Sequence, residues 1–211
     1  SAEAREVVKD KPHSFLHIDR PELGFEPGHD MYAPEVYQHA HDLLHGMIAK
    51  GEFVKDEKPY YYIYRLTMDG RKQTGFVACA SIWDYDAQII KKHENTRAEK
   101  EQDRIRHVAA CDAQTGPIFL AYRNVDKLQE IMDRYTQMTP AYDYVAEDGI
   151  GHAGWIVDDA ADIAAIEESF AQMNAIYIAD GHHRCASAVK VGFQKAEQNP
   201  NHTGNEEYNY F

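Results

Sequence analysis

Ala175-Ile176-Tyr177-Ile178-Ala179-Asp180-Gly181-His182-His183-Arg184-Cys185-Ala186-Ser187-Ala188 carries an apolar, β-rich run straight into five polar residues and then into helical spacing. Residues 176–179 are too few for a helix and read as a buried strand, while Ala186, Ala188, Val189 and Phe193 recur as a helical face. Asp180-Gly181 is then the turn. Glycine adopts positive φ there and lets a ligand approach the N–H groups that open the helix. Those donors favour an anion. His182 and His183 add ring donors, and Arg184 can grip a phosphate or carboxylate bidentately. Without a ligand, the same residues make a polar strand-to-helix turn with surface histidines.

Outward from this corner, residues 142–145 and 152–157 flank a turn at Gly149-Ile150-Gly151 and read as a hairpin. Asp158-Asp159 caps a helix whose Ile163, Ile166 and Phe170 face inward. The glycines at 149–154 do not match a dinucleotide fingerprint, since no helix follows them. Residues 60–66 and 74–83 flank Asp69-Gly70 as a second hairpin. Residues 117–122 read as a strand, and 125–138 as a helix with Leu128, Ile131, Met132 and Tyr135 spaced for burial. Nearer the start, residues 15–18 alternate like a strand and residues 21–28 form a Pro/Gly-rich loop. A helix from Pro34 follows, buries Val36, Ala40, Leu43, Leu44, Met47 and Ile48, and ends at Gly51. His39, His41 and His45 on it read as structural or exposed. Hairpins interleaved with single helices predict an α+β fold with a mixed or largely antiparallel sheet. Residues 208–211 begin a strand that stops, so residues 1–211 read as one α+β domain, a fragment lacking segments at both ends.

Composition limits the partners. The 211 residues, 44% hydrophobic, can bury a substantial core, and no apolar run approaches a membrane span. Cys79, Cys111 and Cys185 are odd in number and share no metal spacing, which fits a reducing cytoplasm. A net charge of −13 repels nucleic acid and anionic membranes at long range, so any anion site must be a local positive pocket.

A second polar stretch, Lys91-Lys92-His93-Glu94-Asn95-Thr96-Arg97, precedes a polar helix carrying Asp103-Arg104 and the apolar Ile105, Val108 and Ala109. Asn95 or Thr96 can cap that helix. Glu94 beside His93 offers an acid or base, and Lys91, Lys92 and Arg97 bring positive charge into an acidic chain. The plain alternative is a solvated charge run.

Residues 177–184, with His93-Glu94-Asn95-Thr96, Asp103-Arg104 and Pro117-Ile118-Phe119, resemble the family called domain of unknown function 1015 over nearly the whole chain, from Ser14-Phe15-Leu16-His17 onward. Family members extend further at both ends, and their amino-terminal Tyr-Asp-Val-type motif is absent here. The Gly181-x-x-Arg184 arrangement also resembles the nucleotide-binding box of the ParB and sulfiredoxin superfamily, which includes a free-serine kinase with a similar Asp-Gly-His-x-Arg box.

Together these features predict a cytoplasmic enzyme that binds a nucleotide or phosphorylated compound and transfers or hydrolyses a phosphoryl group. Gly181, His182, His183 and Arg184 would hold phosphate oxygens of ATP or ADP with Mg²⁺. Asp180 would orient a histidine or hold the Mg²⁺. Glu94, beside His93, would be the general base, should the fold bring it to the box. The expected partners are a nucleotide and a small-molecule substrate, with no membrane or nucleic acid. Two rival readings are a nucleotide-gated DNA-binding module, and a metal-dependent hydrolase using His93, His182, His183 and Asp180.

Overall fold

A computed structural model describes residues 2–94 and 98–211. In chain order its helices and strands are α1 (Ala2–Val8), α2 (Leu16–Asp19), α3 (Pro34–Ala49), β1 (Tyr61–Met68), β2 (Arg71–Val77), α4 (Ile82–Asp86), β3 (Ile90–Lys91), α5 (Ala98–Cys111), β4 (Phe119–Ala121), α6 (Asp126–Tyr135), β5 (Tyr142–Val145), β6 (Gly151–Val157), α7 (Ala160–Ala171), β7 (Ile176–Asp180) and α8 (His182–Gln198). The chain is α+β. Its larger sheet has four strands in the order β2-β1-β6-β5, each pair antiparallel, and its smaller sheet has the order β3-β7-β4. The described residues group into two compact units, one of Asp56–Cys79 and Tyr122–Ile176, the other of Ser1–Lys55, Ala80–Ala121 and Tyr177–Phe211.

The first of these units is built on the larger sheet. Asp69 and Gly70 hold φ at 51° and 76°, the two left-handed residues that a tight hairpin requires, and place Met68 opposite Arg71. Period-two alternation puts Ile63 on β1 and Ala153, Trp155 and Val157 on β6 on one face. That face packs on Leu128, Ile131, Met132 and Tyr135 of α6 and on Ile166 of α7. The Asp159 side chain caps α7, accepting from the amides of Ala161 and Asp162. Arg134 donates to both oxygens of Asp162, at 2.9 and 2.5 Å, and the Tyr135 hydroxyl donates at 3.1 Å.

The other unit is a helical body around the smaller sheet. Ile18, Ala40, Leu44, Met47 and Cys111 form one cluster, and Ile105, Val108 and Val191 form another between α5 and α8. Polar contacts fix α5 as firmly. The Tyr37 hydroxyl donates to Asp103 at 2.8 Å, Arg104 donates to Asp19 at 3.0 Å, and a His107 ring nitrogen lies 2.8 Å from the Ile18 carbonyl. Ile178 of β7 packs on Ile90 and Cys185.

Four local expectations are corrected. Residues 16–19 form the helix α2 rather than a strand, because Ile18 turns into the α3 cluster while Leu16 packs against Ala4, Val8 and Leu23, a divergence that four alternating residues cannot encode. The run at 74–83 is not one strand: β2 ends at Val77, and the Ser81 hydroxyl accepts from the Trp83 amide to start α4. The final segment begins as a 3₁₀ turn at Glu207–Asn209 before Phe211 pairs with Ala80 through two backbone hydrogen bonds of 2.8 and 2.9 Å. Ile48 is exposed, and Tyr37 takes the buried place beside Val36. His41 Nδ1 lies 2.8 Å from the Ala110 carbonyl and its ring packs on His45, while His39 sits against Phe25, so these histidines have structural neighbours.

Two outcomes follow for stability. The hydrogen bond from Arg134, opposed by burial and helped by Tyr135, holds the Asp162 carboxyl below the usual carboxylate range. A depressed folded-state pKa stabilises above the unfolded value and is lost as pH falls through the folded one. Acid unfolding of Asp162→Asn, followed by circular dichroism below about pH 4, should therefore show a weaker pH dependence than wild type. At Gly192 a Cβ would lie 2.5 Å from the Tyr208 carbonyl oxygen and 2.8 Å from Ile82 Cδ1. Gly192→Ala should cost about 1–3 kcal/mol by overpacking, read as a lowered urea midpoint.

Candidate functional site at the β7 to α8 corner

β7 stops at Asp180, and Gly181 turns the chain with φ 91° and ψ 28°, a left-handed conformation that any Cβ would strain. The 17-residue helix α8 then starts at His182, and its cap residue, Gly181, has no side chain to accept from the first turn. The Cys185 amide donates to the Gly181 carbonyl at 2.9 Å, which leaves the amides of His182, His183 and Arg184 ahead of the helical ladder. The following turns of α8 are sunk in the protein: Cys185, Ala186, Ser187, Ala188, Val189 and Val191 are all buried. The amides at its tip are thus fixed by core packing.

Arg184 folds back over the turn. Its Nη2 donates to Asp180 Oδ2 at 2.6 Å. A Cβ on Gly181 would lie 3.0 Å from Arg184 Nε, and one on Gly116 would lie 2.8 Å from Arg184 Cδ. Gly116 therefore makes room for the arginine, a role that its position in a polar loop before Pro117 did not announce. Phe119 of β4 stands opposite Asp180 in the register and is exposed.

Of the second polar stretch, Lys91 closes β3, and Lys92, His93 and Glu94 are exposed; Asn95, Thr96 and Arg97, with the expected cap, lie outside the described residues. The fold brings His93 and Glu94 to the corner. Glu94 Oε1 lies 3.3 Å from His182 Nδ1, and the His93 ring meets the His182 ring edge to face, with centroids 4.4 Å apart. His182 is 6% exposed. Among the described residues, its Nε2 and the Nδ1 of His183 are buried without a hydrogen-bond partner. Burial pushes the His182 pKa below its ordinary value against the pull of Glu94, which favours the neutral ring. Asp180 is not among the three residues whose ligand atoms converge, His93, Glu94 and His182, and it is engaged by Arg184.

Cys185 follows the box but is fully buried, and desolvation pushes its thiol up to about 12, which removes it as a nucleophile at neutral pH. Ser187 and Glu101 were not foreseen. The Ser187 hydroxyl donates to the His183 carbonyl at 2.6 Å, and buried Glu101 on α5 pairs with Lys190 on α8. Both brace the helix, and neither has a local sequence signal, because their partners lie far along the chain or on the backbone.

A family model described as protein of unknown function (DUF1015) matches residues 1–211. The chain belongs to the DUF1015 family. No curated protein and no solved structure matches it. No helix among the described residues of this DUF1015 member is long and apolar enough to cross a membrane.

Gly181→Ala tests the turn itself. The left-handed residue and the contact with Arg184 should together cost about 1–2 kcal/mol, seen as a lower denaturant midpoint, while Gly46→Ala, on α3 with no positive φ and nothing within 4 Å of its Cβ, should not lower it.

Proposed function

We propose that the chain is a cytoplasmic enzyme that binds a nucleotide or phosphorylated compound at the β7 to α8 corner and transfers or hydrolyses a phosphoryl group. One observation carries this reading: a long, core-anchored helix, opened by a left-handed glycine with no side chain to cap it, starts beside two buried histidine nitrogens that lack hydrogen-bond partners among the described residues. Amides, imidazoles and a guanidinium converging there suit an anion, and phosphoryl transfer depends mainly on positioning and charge stabilisation. The amides of His182, His183 and Arg184 receive phosphate oxygens. Arg184, aimed by Asp180, adds a charged donor, and the other Asp180 oxygen is available to the Mg²⁺ that accompanies ATP or ADP.

Glu94 takes the proton of the attacking water or hydroxyl when no ion occupies its corner. Its carboxylate reaches His182, so acceptor and anion donors share one site. The likeness of the Gly181 to Arg184 box to the ParB and sulfiredoxin superfamily supports a nucleotide, and its free-serine kinase makes a small hydroxyl compound the first acceptor to try. No feature of the corner favours the DNA-binding reading, and the net charge of −13 opposes it.

Thermal melts with pyrophosphate, ADP and ATP, each with Mg²⁺, test the anion site. At a hundredfold excess over Kd, binding adds about 2.7 kcal/mol to stability, and Arg184→Ala should lose most of that shift. A folded wild-type protein whose melting temperature no member of the panel moves would sink the reading. In a screen of nucleotide consumption against small hydroxyl compounds, Glu94→Gln should keep nucleotide binding while turnover falls roughly 10²–10⁴-fold.

A further inference from the structure

We infer that His93, Glu94 and His182 form a binding site for one divalent first-row transition ion of the Zn²⁺ or Co²⁺ type. The three residues each bring one ligand atom to within 4.8 Å of the others. Two imidazoles and a carboxylate suit such ions, whereas Mg²⁺ and Ca²⁺ prefer all-oxygen sets. The 3.3 Å between His182 Nδ1 and Glu94 Oε1 is close to the separation of about 3.3–3.4 Å that two ligands 2.0–2.1 Å from a tetrahedral ion subtend. These two atoms are already placed as neighbours around an ion. The ligand atoms all lie within 4.8 Å of one another, and the exposed side chains of His93 and Glu94 can close onto one ion by rotation.

The burial pattern fits an ion that enters from solvent. His182 forms the floor, with a side chain 5% exposed and fixed by the core-packed α8, while His93 and Glu94 form an open rim. With Nδ1 on the ion, the ring proton of His182 is held on Nε2, which is buried without a partner among the described residues. Three protein ligands leave a coordination position open for water or a phosphate oxygen, the pattern of catalytic rather than structural sites. With the ion bound, Glu94 is a ligand, and water on the ion replaces the carboxylate as the source of the nucleophile. This ligand set differs from the one expected from sequence: Glu94 enters, and Asp180 and His183 leave.

The test is a titration of the chelator-stripped full chain with Co²⁺ in a phosphate-free buffer, read by visible absorption. The expected result is one Co²⁺ per chain with the d–d bands of a low-coordinate nitrogen and oxygen site. His93→Ala and Glu94→Gln should each weaken binding by at least about 10–100-fold, and His45→Ala, which removes a histidine outside the site, should leave it unchanged. Absence of saturable binding, or binding that survives either of the first two substitutions, overturns the site. Both substituted side chains are exposed, so the variants should keep the wild-type melting curve. If either fails to fold, Zn²⁺-induced shifts of the His93 and His182 ring resonances in the wild-type chain decide instead, and their absence overturns the site. The pyrophosphate melt, repeated without Mg²⁺ in the presence of chelator, separates the two readings: a shift retained there keeps the anion site whatever the Co²⁺ result.

Discussion

Because Gly181 holds its backbone at φ 91°, the chain leaves β7 and enters α8 across a single residue, and that residue has no side chain with which to cap the helix. A serine or aspartate at that position would satisfy one of the orphan amides from within the protein. Glycine leaves them to be satisfied from outside. The cost of an uncapped start is met further along α8, where Cys185 to Val189 and Val191 are buried and Gly192 allows the Tyr208 backbone to come close. The stability of the helix thus resides away from its tip, which frees the tip for binding.

Electrostatics at this tip oppose the sign of the chain as a whole. With a net charge of −13, an incoming anion meets long-range repulsion, and only short-range donors can reverse it. Arg184 is the fixed local cation, and its pairing with Asp180 has two effects. It aims the guanidinium over Gly181 and lowers the field that the arginine offers, so a bound phosphate must share Arg184 with a carboxylate. Sharing favours ligands that bring their own cation, because a magnesium-bound nucleotide can engage Arg184 through phosphate and Asp180 through the ion at once. A bare monoanion gains only half of that arrangement.

Much of this organisation was legible in the chain. The strand, turn and helix around Asp180-Gly181 appear where apolar period and glycine placed them, although the strand, expected to be buried, buries only Ile178 and leaves Tyr177 and Ala179 exposed; the Asp69-Gly70 hairpin, the buried face of α6 and the Asp159 cap of α7 also appear as read. These are local signals, written within ten residues of where they act. What was not legible is non-local. Ile18 declares itself helical only by meeting α3, and Ser81 starts α4 although the run around it is β-rich. Gly116 is legible as a turn glycine, but its contact with Arg184 depends on a packing that sequence spacing does not contain. The approach of Glu94 to His182 stands between these cases: both stretches announced chemistry separately, and only the fold could join residues 88 positions apart.

That junction sets how the corner divides labour. His182 belongs to the rigid element: its backbone amide lies ahead of the helical ladder, where the proposed anion would bind, and its ring is the floor on which Glu94 and His93 converge. One residue therefore serves both halves of the site, through its main chain toward the anion and through its side chain toward the acid and base groups. Any shift of the α8 tip moves the His182 amide and the His182 ring together, because one residue carries both. Glu94 and His93 lie on the exposed side, where their rotamers can adjust to the ligand without disturbing the buried helix. A fixed floor and an adjustable rim suit a reaction in which the phosphoryl group must be held still while the acceptor varies.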